Sequence, residues 1–97
     1  WKENVRRLIY VFISAALPGT LLVYYPQDKE YSLGFMLPKT EEKWKIMFQF
    51  HGETIRVYVY TGAFEQELPP AAEVSAHDVF DTLINIVELL RQIIKEA

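Results

Sequence analysis

The chain has 97 residues, 51% hydrophobic and 24% charged, and its 13 acidic side chains against 10 basic ones leave a formal net charge of -3. That length holds one core, so a single domain over 1–97 is expected, and the apolar share with so small a net charge excludes intrinsic disorder. The absence of cysteine excludes a disulfide framework, thiolate catalysis and cysteine-ligated zinc or iron–sulfur sites, and suits a reducing, cytoplasmic setting.

Residues 2 to 17 repeat apolar side chains at Val5, Leu8, Ile9, Phe12, Ile13 and Ala16, the spacing of a buried helical face, and Pro18-Gly19 ends the run. Lys2, Arg6 and Arg7 then fall on the solvated side. No charged residue occurs from Leu8 to Gln27. Pro18-Gly19 in the middle of that stretch argues against a membrane span, which needs about 20 continuous apolar residues. Arg6-Arg7 ahead of an apolar run and Ser14-Ala15-Ala16 fit the plan of a signal peptide, yet the chain retains the segment, so no membrane association is expected. A first residue Trp1 in place of Met leads us to expect that other residues preceded it.

Leu21 to Tyr25 form a short run of bulky β-formers bounded by Pro26, read as a well-covered first strand. After a polar turn over 26–30, Tyr31, Leu33, Phe35 and Leu37 alternate with Ser32, Gly34 and Met36 as a second strand. The next pair is the clearest feature. Trp44, Ile46, Phe48 and Phe50 alternate with Lys45, Met47, Gln49 and His51, and beyond Gly52 the residues Ile55, Val57 and Val59 alternate with Thr54, Arg56, Tyr58 and Tyr60. With either Gly52-Glu53 or His51-Gly52 as the loop, the same residues share the inner face.

Gly62, Pro69-Pro70, three alanines and three glutamates mark 62–74 as a connection. Ser75 is expected to cap the last helix with Asp78 as its reciprocal partner, and Val74 and Val79 to form a hydrophobic staple. From there Val79, Leu83, Ile86, Leu90, Ile93 and Ala97 run at helical spacing beside a second line, Phe80, Ile84, Val87 and Ile94. With Leu89, ten of the sixteen residues from Val79 to Ile94 are large and apolar, a stripe wider than one sheet contact requires. The whole reads as an α+β fold: N-terminal helix, four-stranded antiparallel meander and C-terminal helix, with both helices on one face of the sheet.

Two surfaces follow as candidates. The wide stripe offers Phe80, Leu83, Val87, Leu90, Ile93 and Ile94 as a protein interface, for a second copy or another protein, unless the first helix covers one side of it. The outer face of the central hairpin sets Lys45 and Arg56 among Met47, Tyr58 and Tyr60, an interleaving on which single-stranded nucleic acid stacks its bases. Against that stands the charge, +2 over residues 1 to 50 and -5 over 51 to 97, without the basic excess of a non-specific nucleic-acid binder.

Catalytic signals are absent. No serine sits in a nucleophile elbow, the glycines are isolated from one another, and the pairs Glu41-Glu42 and Glu65/Glu67 fall in connections. His77 and Asp81, four apart, have metal-ligand spacing, but acidic residues in a first helical turn already complement the helix dipole. We therefore expect no enzyme, cofactor or metal site, and a small protein-interaction module that self-associates through an apolar helix face. Nucleic-acid binding on the hairpin is the alternative. Few asparagines and no cysteine are compatible with a thermophilic source.

Overall fold

The computed structural model of the protein describes residues 1–26, 31–41, 44–61 and 71–96. The turn expected at 27–30, the Glu65/Glu67 pair, Glu42 and Ala97 lie outside the described residues. The order of elements is α1 (Lys2–Ala16), β1 (Leu21–Tyr24), β2 (Ser32–Met36), β3 (Trp44–His51), β4 (Thr54–Thr61), β5 (Ala72–Ser75) and α2 (Val79–Glu96). The strands form one antiparallel sheet in sequence order, β1-β2-β3-β4-β5, with the helices packed together over one face.

The α+β architecture is the one read from the sequence, with one strand more. The extra strand, β5, comes from the segment taken as a connection. Ala72 and Ser75 are too small to give a strand signal, and pairing with β4 through Thr54↔Ser75, Ile55↔Val74, Arg56↔Glu73 and Val57↔Ala72 makes the strand. Backbone hydrogen bonding needs no particular side chain, so a short edge strand carries little pattern of its own.

The central hairpin takes Gly52-Glu53 as its loop. His51 faces Thr54, Phe50 faces Ile55, Phe48 faces Val57 and Ile46 faces Val59. Gly52 has φ +60, the left-handed backbone that a two-residue hairpin loop requires. The inner face of Leu33, Phe35, Ile46, Phe48, Ile55 and Val57 is closed by Ile9 and Ile13 of α1 and by Val79, Leu83, Ile86 and Leu90 of α2. Aromatic geometry ties the layers: Tyr10 of α1 stacks on Phe35 at 6.3 Å, and Phe35 meets Phe48 edge-on at 6.2 Å.

Three local expectations are corrected. Ser75 ends β5 instead of capping α2; its hydroxyl accepts the His77 N–H at 3.3 Å within the turn before the helix, which begins at Val79. Arg6 is buried, not solvated: it donates to the Pro26 carbonyl at 2.7 Å and to Glu3 Oε2 at 2.6 Å, which satisfies the charge inside the fold. The first strand, expected to be well covered, is instead an edge of the sheet, with Leu21, Leu22 and Val23 exposed.

Candidate interaction surface

Helix α1 is apolar on nearly every side beyond its second turn. Ile9 and Ile13 point into the core, while Leu8 and Val11, which lie on the opposite side with Ala15 at spacings of three and four, are 52% and 59% exposed. The helical pattern in the sequence placed Leu8 on the buried face. The side carrying Arg6, Ile9 and Ile13, continued by Leu17 just past the helix, meets the sheet, and from that side the Arg6 guanidinium reaches the Pro26 carbonyl.

Between α1 and α2 runs an open cleft of about 500 Å³ lined by Leu8, Val11, Phe12, Ala15, Ala16 and Phe80. Ile84, one turn beyond Phe80 on α2, is 57% exposed. On the other flank of α1 a smaller cleft of about 230 Å³, lined by Arg7, Tyr10, Leu22 and Tyr25, leads to β1. Exposed apolar side chains therefore lie on both flanks of α1, toward α2 and toward the sheet edge, with the exposed Arg7 between them. Those of α1 and β1 coincide with the charge-free stretch from Leu8 onward, and a helix that is apolar all round is the sequence signal from which they can be found.

The residues expected at a helix interface are distributed differently. Leu83, Val87 and Leu90 are buried in the chain's own core, and Ile93 and Ile94 are half-buried against it. Of the six, Phe80 alone joins the exposed side chains. Most of the stripe is covered within the chain, by the sheet and α1, while Phe80, Ile84 and Leu89 stay exposed.

The hairpin residues Lys45, Met47, Arg56, Tyr58 and Tyr60 do share the outer face of the sheet, with Lys45 opposite Tyr60, Met47 opposite Tyr58 and Gln49 opposite Arg56. They do not make an open platform. Met47 and Tyr60 are buried, and burial pushes the Tyr60 phenol up to about 12. Arg56 Nε lies 3.3 Å from Glu73 Oε2 on β5, so part of the positive charge is already matched within the chain. Gly34 leaves the Met47 position without a neighbouring side chain on β2, and Tyr24 faces Gly34 from β1.

His77 and Asp81 are exposed, and among the described residues no group of three or more His, Asp or Glu side chains is placed to hold a metal ion. Glu3 is held below its ordinary value, first by the Tyr25 hydroxyl that donates to it at 2.9 Å and then by Arg6 and Arg7. That network is structural: it fixes the start of α1 to the end of β1. Among the described residues no helix is long and apolar enough to cross a membrane. Compared with known protein families, curated proteins and solved structures, the chain matches none.

Proposed function

We propose that the protein is a non-catalytic interaction module that self-associates by burying the apolar surface beside α1. The supporting observation is the coincidence of exposure and neutrality. Leu8, Tyr10, Val11, Leu21, Leu22 and Val23 are all exposed, and no charged residue lies among them in the chain. Exposed apolar surface gathered in this way marks an interface, and its burial contributes about 25 cal/mol per Å². An interface of standard size takes about 800 Å² from each partner, roughly 13% of the 6040 Å² surface.

The outer sheet face supports the alternative, nucleic-acid binding, less well, because Arg56 is matched by Glu73 and two of the five proposed contact residues are buried. Cytoplasmic residence accords with the absence of cysteine. The test is the solution mass by light scattering over a hundredfold range of concentration, at low and high salt. We expect twice 11.4 kDa at the upper concentrations with little change as salt rises, since an apolar contact is not screened. A mass of 11.4 kDa throughout, together with salt-sensitive binding of a single-stranded oligonucleotide, overturns the reading in favour of the alternative.

A further inference from the structure

The two ends of the sheet are treated differently. At one end β5 carries the charged, exposed Glu73, and Glu73 is held against Arg56 at 3.3 Å. A charge on an edge strand discourages another strand from adding there. At the other end β1 has no charge and no proline. Leu21 is on the outer face opposite Met36, Leu22 is on the helix face opposite Phe35, and Val23 is the extra residue of a bulge before Tyr24↔Gly34. Leu21 is 58% exposed, Val23 44% and Leu22 38%. Both faces of this edge are therefore apolar, and among the described residues no strand lies beyond it.

An edge strand also presents backbone N–H and C=O groups aimed away from its single neighbour, and these accept only an extended partner. A helix docked there would leave them unmatched.

Resting on the reading that the protein self-associates, we infer that β1 pairs antiparallel with β1 of a second copy, so that the five-stranded sheets of the two protomers join edge to edge. Charge favours a second copy as the occupant. Two identical chains of net charge -3 repel least where both are neutral, and the stretch from Leu8 to Gln27 is the longest run of the chain without a charge. Symmetry favours it too. An antiparallel pair about a two-fold axis makes one segment its own complement, with leucine against leucine or valine on each face.

The neighbouring cleft completes the contact. Its lining of Arg7, Tyr10, Leu22 and Tyr25 lies on the helix side of the edge, where the two copies of Leu22 converge across the axis. Arg7, the charged member, shares the Glu3 carboxylate with Arg6, and its side chain is 71% exposed, so in the pair it turns to solvent at the rim of the contact.

The experiment uses the absence of native cysteine. Single variants Leu21→Cys, Leu22→Cys, Val23→Cys and, on exposed positions of α2, Ile84→Cys and Leu89→Cys are oxidised at the concentration where the wild type is dimeric. In parallel, the mass of Leu22→Lys and of Leu89→Asp is measured by light scattering, with far-UV circular dichroism to confirm folding. We expect covalent dimer in high yield from at least one β1 variant and only a trace from the α2 variants. We also expect Leu22→Lys to be a folded monomer, its mass halved, and Leu89→Asp, on the exposed side of α2, to remain a dimer. A wild-type mass of 11.4 kDa at every concentration overturns self-association and this inference with it. A dimer that survives Leu22→Lys, splits with Leu89→Asp and cross-links through Ile84→Cys leaves self-association standing and overturns the β1 contact alone.

Discussion

The Arg6 guanidinium lies 3.8 Å from the ring centre of Tyr25, a residue nineteen positions later in the chain, and that stack closes the first turns of α1 onto the end of β1. The same group donates to Pro26 and Glu3 and is only 3% exposed. Replacing it removes a cation–π contact and two charge-assisted hydrogen bonds at once. We expect Arg6→Ala to cost about 2–4 kcal/mol in urea unfolding. Arg6→Lys should recover less than half of that, because an ammonium cannot stack flat on Tyr25 while serving Glu3 and Pro26 together.

Acid should loosen the same corner. The Glu3 carboxyl is held below its ordinary 4.5, so the folded state binds fewer protons than the unfolded chain near that pH. Its contribution is present above 4.5 and is lost as the pH falls through the lower folded value. Thermal unfolding between pH 7 and 2.5 should show the midpoint falling below about pH 4.5, and Glu3→Gln should flatten that fall relative to wild type.

Alkali acts through Tyr60. Its phenol is pushed from 10.0 to about 12 by burial, so the unfolded chain loses the proton first and the folded state is favoured fully only below pH 10. Stability should decline between pH 10 and about 12, and a Tyr60→Phe variant should lose part of that decline. Absorbance titration at the phenolate band, read against circular dichroism, separates ionisation in the folded state from ionisation on unfolding.

Neighbouring positions on α2 should respond in opposite ways. Leu83 is fully buried, and Leu83→Ala should cost about 3 kcal/mol through lost transfer energy and the cavity left behind. Ile84 is 57% exposed, and Ile84→Lys should change stability by no more than about 0.5 kcal/mol. Leu90→Asp should unfold the chain outright, since it buries a carboxylate with no partner. Chemical denaturation of the three variants checks the orientation of the helix directly.

The turn after α1 depends on Gly19. Its φ is +92, and an added Cβ would stand 3.2 Å from Cβ of Pro38. Gly19→Ala should cost about 1–3 kcal/mol from backbone strain and the crowded contact. Gly52, at φ +60 with open space around it, should accept asparagine at a cost below about 1 kcal/mol, since asparagine tolerates the left-handed backbone.

The alternation from Trp44 to Tyr60 by itself determined the central hairpin and its buried face, because a period of two and a glycine turn leave only one such face. The choice of Gly52-Glu53 over His51-Gly52 as the loop, and with it which residue faces which, came from the tertiary structure. The helical spacing from Val79 onward likewise determined that α2 is a helix and that Leu83 and Leu90 share a line. What such patterns state is that a residue is apolar and where it lies on its own element. They do not state how much surface the rest of the chain has available to cover it. Leu83, Val87 and Leu90 went into the core and Leu8 and Val11 stayed outside, although all five are apolar and lie on helices. That choice was made by the roll of α1, from whose buried side Arg6 reaches Tyr25 and Pro26, and by the place of β1 at the end of the sheet. β5 was illegible for a related reason: its strand conformation comes from backbone pairing with β4, and Ala72 and Ser75 carry no side-chain signal of it. Local spacing is a property of neighbours along the chain, whereas exposure is a difference between the apolar surface a fold presents and the surface it can bury, and that difference exists only once the helices and the sheet are packed together.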